Sequence, residues 1–150
     1  MLSDLHLTHP APSSLIIHPT FRNPTTGLAL SSRNAYLLDR EMRYSTILID
    51  ALRSSERVWN TQRNTQEGIV DVELVLRAAK GSIAGVVEKA REDGVEIKLL
   101  YVLLNDPVEL NDLEDGVGKV GMGKGAVLSG AVVLGKTRLI DNLVFDFELN

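Results

Sequence analysis

Apolar residues recur every three or four positions in two stretches of the chain, and this spacing predicts two amphipathic helices. The first stripe begins at Leu38 and ends at Trp59, and the second begins at Val72 and ends at Ala90. Polar residues at 60–68 separate the two stripes. We therefore predict a helical hairpin whose two apolar faces pack together.

Two glycines interrupt the second predicted helix. Gly81 and Gly85 lie inside this helix, and a glycine inside a helix costs about 1 kcal/mol relative to alanine. A cost of this size is usually offset by a specific role. We therefore expect close packing or a bend at these positions.

Beyond the second helix, the pattern changes to the alternating and continuous apolar runs that are typical of β-strands. The predicted strands are Val95–Leu104, Ala126–Leu134 and Thr137–Phe147, with Asn105–Gly125 as a loop. Gly135-Lys136 predicts a hairpin between the last two strands. Because helices come first and strands afterwards, the predicted class is α+β: a helix pair packed on a small antiparallel sheet of about three strands.

Composition narrows the classes of function. A chain of 150 residues with 44% hydrophobic residues suits one domain with its own core. A net charge of -4 argues against a nucleic-acid partner, which clustered Lys and Arg would indicate. No apolar run approaches the roughly 18 residues of a membrane span, and no signal-peptide pattern is present. The absence of cysteine fits a reducing compartment, so we expect a soluble, cytoplasmic protein.

The segment from Gly27 to Leu37 carries the candidate chemistry. It places Ser31 and Ser32 beside Arg33, between a glycine and a predicted helix start. Two hydroxyls and a planar guanidinium can together bind the oxygens of a phosphate. The alternative is structural: one serine caps a helix, and Arg33 lies on a solvated surface. These three residues alone leave both interpretations open.

Two glycine motifs match nucleotide-binding patterns. Gly130–Thr137 satisfies G-x-x-x-x-G-K-T, but a phosphate-binding loop must follow a strand and open a helix, whereas strand-forming residues fill and follow this motif. We therefore predict a strand hairpin there. Gly116–Gly121 satisfies G-x-G-x-x-G, yet further glycines follow it instead of a helix. We predict a mobile glycine loop, and assign no role to Lys119 or Lys124.

Histidine and acidic residues give no clear site. Asp4, His6 and His9 lie close in sequence, but the segment is short, rich in proline and without a second ligand-bearing element. We therefore assign no metal ligand. Near the C-terminus, Arg138 and Asp141 can form an ion pair or shape a turn beside the sheet.

The order of three motifs resembles a known family. Pro19-Thr20-Phe21-Arg22 precedes the Ser-Ser-Arg segment, and Arg138-Leu139-Ile140-Asp141-Asn142 lies near the C-terminus. Together they resemble the C-terminal domain of the pantothenate synthetases, the AMP-forming pantoate:β-alanine ligases. In that family the Ser-Ser-Arg loop is the counterpart of the Lys-Met-Ser-Lys-Ser loop of class I aminoacyl-tRNA synthetases. Leu38 departs from the family, which usually has a Ser or Thr there to cap the helix.

The resemblance implies domain boundaries and site residues. Residues 1–18 would be the tail end of a Rossmann-type nucleotide-binding domain, 19–30 a hinge and 31–150 the C-terminal domain. The ATP-binding residues would be Phe21, Leu30, Ser31, Ser32 and Arg33, with Arg33 as the catalytic group that stabilises charge on the phosphates. Gly27 would let the loop swing in as a lid.

The resemblance also implies a reaction, the ATP-dependent condensation of pantoate with β-alanine through pantoyl adenylate. ATP with Mg²⁺ would take part, and pantoate and β-alanine would be held through an N-terminal domain whose His-x-Gly-His motif does not occur in this sequence. We therefore expect the chain alone to be inactive, and a homodimer of the full enzyme stays open. The alternatives are a non-catalytic interaction module that kept the fold, or a nucleotide-binding protein that uses Gly130 to Thr137.

Overall fold

The computed structural model describes residues 20–113 and 118–147. The predictions that concern residues 1–18, including Asp4, His6 and His9, and the first two positions of the Gly116–Gly121 motif lie outside the described residues. The helices are a 3₁₀ helix at Ser32–Tyr36, α1 at Asp39–Met42, α2 at Ile47–Arg63 and α3 at Val72–Glu92. The strands are β1 at Val70–Asp71, β2 at Ile97–Asn105, β3 at Lys119–Val120, β4 at Ala126–Leu134 and β5 at Thr137–Phe145.

Three strands form the main sheet, in the order β2-β4-β5 and antiparallel throughout. Helices α2 and α3 pack together and contribute Leu52, Trp59 and Leu76 to a core that includes Leu104 and Leu128 of the sheet. The buried hydroxyl of Ser55 on α2 donates to the backbone of α3 at 2.5 Å. The α+β prediction, with a helix pair on a three-stranded antiparallel sheet, is confirmed.

The first predicted helix is two helices. α1 ends at Met42, and α2 begins at Ile47 and continues to Arg63, past the predicted end of the apolar stripe. In the break, the hydroxyl of Tyr44 donates to Asp93 at 2.6 Å, and Ser45 Oγ donates to the carbonyl of Met42. The prediction was wrong because these polar bonds leave the spacing of apolar residues unchanged.

Close packing, one of the two expectations for the glycines of α3, is wrong for the described residues. Gly81 and Gly85 lie on its exposed side, and a Cβ atom at either position would meet no atom within 4 Å. The helix runs without interruption from Val72 to Glu92. These glycines therefore serve no close packing with the described residues.

The strand predictions hold better than the helix boundaries. β4 has the predicted bounds, and β5 joins it through a turn in which Gly135 has a φ of 58°. The Gly130–Thr137 motif thus lies in two paired strands and their turn, which confirms that it is not a phosphate-binding loop. The stretch predicted as a loop at 105–125 contains β3, which pairs with β1. A two-residue strand is too short to produce a visible alternation.

Candidate functional site

A short hairpin leads into the Ser-Ser-Arg segment. Arg22 and Ala29 form an antiparallel bridge, and the amide of Leu30 donates to the carbonyl of Phe21 at 2.8 Å. Gly27 lies in the turn with a φ of 77°, a conformation that residues with a Cβ rarely adopt. The chain therefore enters the segment at 31–33 directly from a hydrogen-bonded strand.

An ion pair fixes this hairpin to strand β5. The two terminal nitrogens of Arg22 donate to the two carboxylate oxygens of Asp141, at 2.6 and 2.9 Å, and one of them also donates to the carbonyl of Gly27 at 3.3 Å. The side chain of Asp141 is only 8% exposed. The hydrogen bond to Asp141 raises the pKa of Arg22, in agreement with a stable charged pair.

An ion pair between Arg138 and Asp141, one of the two interpretations of these residues, is therefore wrong. Successive residues of a strand point to opposite faces. Asp141 lies on the buried face of β5, whereas Arg138 is exposed. Arg22 was not predicted as the partner, although it lies in the Pro19–Arg22 motif that carried the family resemblance.

The Ser-Ser-Arg segment has a defined local structure. Ser31 Oγ accepts from the amide of Arg33 at 3.2 Å, and the Ser31 carbonyl accepts from the amide of Asn34 at 3.0 Å. The side-chain amide of Asn34 donates back to the carbonyl of Ala29 at 2.9 Å. Ser31 thus caps the 3₁₀ helix, as the structural interpretation of the serines expected.

Capping leaves the polar groups of this segment accessible. Ser31, Ser32 and Arg33 are all exposed. Within 20–113 and 118–147, the guanidinium of Arg33 has no hydrogen bond or ion pair to another side chain or carbonyl. Phe21 and Leu30 are also exposed, at 73% and 62%. The segment therefore presents hydroxyl and guanidinium donors beside apolar surface.

A small cleft of about 50 Å³ lies between this segment, α2 and β5. Ser31, Arg33 and Arg138 line it, together with Leu48 and Asp141. Ser32, Phe21 and Leu30 are not among the lining residues. Pockets that enclose a small organic ligand have volumes of about 300–1,000 Å³, so this cleft has room for part of a ligand only.

The donor set of the cleft suits an anion. Hydroxyls and guanidinium groups donate hydrogen bonds to phosphate or carboxylate oxygens, whereas Mg²⁺ requires oxygen ligands. In the described parts of the chain, no group of three or more His, Cys, Asp or Glu residues is arranged to hold a metal ion. A Mg²⁺ ion at this site would be bound by phosphate oxygens and water.

Comparison with known proteins identifies the family. Residues 1–144 match the family model described as pantoate-beta-alanine ligase. The chain belongs to this family. The pantothenate synthetase of Roseiflexus sp. strain RS-1 is 36% identical over 147 residues, which are 97% of this chain and 44% of that protein. The resemblance predicted from the three motifs is confirmed.

Other relatives agree in family and in fold. The bifunctional pantoate ligase/cytidylate kinase of Gloeobacter violaceus is 34% identical over 87% of this chain and 21% of its own length. The crystal structure of pantothenate synthetase from Thermus thermophilus superposes with a TM-score of 0.62 and 28% identity, over 84% of this chain and 38% of that one. The chain thus spans less than half the length of these pantoate-beta-alanine ligase relatives.

The part of the chain that the structure describes includes no helix with both the length and the apolar character that crossing a bilayer requires.

Proposed function

We propose that this chain supplies phosphate contacts for ATP in the AMP-forming condensation of pantoate with β-alanine. The exposed guanidinium of Arg33, without a protein partner among the described residues and at the edge of an anion-suited cleft, carries this proposal. Family membership supports the ligase reaction. In this proposal the chain provides hydrogen-bond donors for the phosphates, and another domain provides the rest of the nucleotide site.

Each residue has a distinct role in the proposal. Ser31 and Ser32 hold phosphate oxygens through their hydroxyls. Arg33 stabilises the negative charge that develops on the α-phosphate and on the departing pyrophosphate, as pantoate forms pantoyl adenylate. Donors held in place before the reaction stabilise such charge most effectively. The exposed side chains of Phe21 and Leu30 provide apolar contact to the nucleotide.

The size of the cleft supports a divided active site. At about 50 Å³ it can admit a phosphate-sized group but cannot enclose ATP. In the proposal, a nucleotide-binding domain of the family holds pantoate, β-alanine and the adenosine. The full enzyme is cytoplasmic and forms a homodimer. The 150-residue chain alone then forms no pantothenate.

The test joins this chain to the part of the Roseiflexus pantothenate synthetase that it does not match, and measures pantothenate formation. Removing a donor to a developing oxyanion usually lowers kcat by about 100- to 1,000-fold, and we expect a loss of this size for Arg33→Ala. Arg77→Ala is the matched control, because Arg77 is an exposed arginine of α3 that pairs with Glu73 within its own helix. Equal rates for Arg33→Ala and Arg77→Ala would contradict the proposal.

The remaining alternative is a non-catalytic module that kept the fold. It predicts that ATP leaves the side-chain NMR signals of Arg33 unchanged in the joined protein, whereas the proposed contact shifts them. The motif at Gly130–Thr137 offers a second comparison. Lys136 lies in the β4-β5 turn, so Lys136→Ala should leave ATP binding unchanged.

A further inference from the structure

The Arg22–Asp141 pair joins two ends of the chain. The two residues are 119 positions apart, and the pair has two parallel hydrogen bonds of 2.6 and 2.9 Å. Arg22 is 20% exposed and Asp141 8%, so water screens the pair only weakly. A fork of this geometry fixes both the position and the orientation of the two side chains.

The hairpin transmits this position to the phosphate-binding segment. Arg22 pairs through its backbone with Ala29, and its side chain also donates to the carbonyl of Gly27. Its neighbour Phe21 accepts the amide of Leu30, the residue directly before Ser31. The guanidinium therefore holds both strands of the hairpin against β5.

The residue that follows the Ser-Ser-Arg segment is hydrogen-bonded back to the hairpin that precedes it. The side-chain amide of Asn34 donates to the carbonyl of Ala29 at 2.9 Å. Ser31 and Arg33 thus lie within a closed set of hydrogen bonds, whose link to the sheet is Arg22. A turn of the segment about Gly27 would have to break the Arg22–Gly27 hydrogen bond and the bridge between Arg22 and Ala29.

We propose that Arg22 and Asp141 are positioning residues, which fix Ser31 and Arg33 relative to the sheet for phosphate binding. This inference rests on the proposed function of Arg33. Arg22 and Asp141 donate to and accept from each other, so in this proposal their effect on phosphate binding comes from where they hold Ser31 and Arg33. In this proposal the pair keeps the segment at a fixed position relative to β5.

A double-mutant cycle in the joined enzyme tests this role. Arg22→Lys keeps the charge and loses the fork. Misplacement of a catalytic group by about 1 Å costs on the order of 100-fold in rate, so we expect Arg22→Lys to lower kcat/KM for ATP about 10- to 100-fold. In the Arg33→Ala background most of this effect should vanish, because the group that Arg22 positions is absent.

Arg63→Lys is the matched control for general damage to the fold. Arg63 is 13% exposed, its Nε donates to Asp146 at 2.7 Å, and its terminal nitrogens donate to three backbone carbonyls, all away from the residues that line the cleft. It should lower the urea midpoint yet leave the kinetics for ATP unchanged. The KM for β-alanine should stay constant in Arg22→Lys and in Arg63→Lys, since neither arginine contacts that substrate in the proposal.

The outcomes separate the two proposals. If Arg33→Ala lowers activity and Arg22→Lys is equally harmful with or without Arg33, the positioning role is wrong and the function of Arg33 stands. If Arg33→Ala has no effect, the proposed function fails first, and the positioning role for phosphate binding falls with it. Should Arg22→Lys not fold, Asp141→Asn replaces it, with the same expected loss and the same dependence on Arg33.

Discussion

Gly135 should tolerate no side chain, and the reason can be separated into two parts. It occupies the β4-β5 turn with a φ of 58°. A Cβ atom at this position would lie 2.0 Å from Oε1 of Glu41. Glu41 is only 7% exposed, and its other carboxylate oxygen accepts from the amide of Leu38 at 2.9 Å. The variant Gly135→Ala therefore strains the backbone and displaces a buried carboxylate.

The free-energy costs of the backbone strain and of the displaced Glu41 carboxylate can each be given a size. Left-handed backbone costs a residue with a Cβ about 1–2 kcal/mol. Loss of a hydrogen bond to a charged group costs about 1.5–3 kcal/mol. We therefore expect Gly135→Ala to lower the free energy of unfolding by about 2.5–5 kcal/mol, a large share of the roughly 5–15 kcal/mol that holds a domain folded.

Urea unfolding followed by the fluorescence of Trp59 measures this change. Gly85→Ala is the matched control, because a Cβ there meets no atom within 4 Å and the backbone is helical. It should stabilise the chain by about 0.5–1 kcal/mol. In Gly135→Ala combined with Glu41→Ala the collision is absent, so the two costs should not add. A loss below about 1 kcal/mol for Gly135→Ala, or additive costs in the double variant, would refute this reasoning.

Three further predictions follow from single contacts. Ser55→Ala should cost about 1 kcal/mol in urea unfolding, because its buried hydroxyl donates to the backbone of α3 at 2.5 Å. Arg63→Lys should cost about 1.5–3 kcal/mol, since lysine cannot bond both Asp146 and the three loop carbonyls that the guanidinium contacts. The hydrogen bond to Asp93 raises the pKa of Tyr44, so its stabilisation is present below the ordinary tyrosine pKa of about 10 and is lost as the pH rises through the raised value. Urea midpoints between about pH 8 and 11 should therefore fall less in Tyr44→Phe than in the parent chain.

The strands were predictable because their physical signal is local. β4 is a nearly continuous apolar run with one face buried and the other mostly half-buried, and Gly135 follows its end, so sequence alone located both boundaries. The break between α1 and α2 was not predictable in this way. Within it, backbone amides donate to carbonyls three positions earlier, and the hydroxyl of Tyr44 donates to Asp93, a residue 49 positions away. Polar contacts of this kind do not alter the spacing of apolar residues.

In the candidate site, too, the features set by neighbouring residues were predictable and those set by distant contacts were not. The cap at Ser31 and the exposure of Arg33 follow from residue types next to each other in the chain, and both were considered before the structure. The pair of Arg22 and Asp141 depends on two segments that meet only in the folded chain. Sequence alone could not predict this pair, although it did indicate that Asp141 needs a partner.

The ion pair between Asp141 and Arg138, one of two interpretations left open, could have been excluded from the strand alone. Leu139, Asp141 and Leu143 share one face of β5, and Arg138 lies on the other. A carboxylate among apolar residues requires a partner, because burial of an unpaired charge is costly. The sequence therefore demanded a cation from outside the strand, without saying which one. Only the path of the hairpin over the sheet brings Arg22 to that carboxylate, and this path depends on the folded arrangement of both segments.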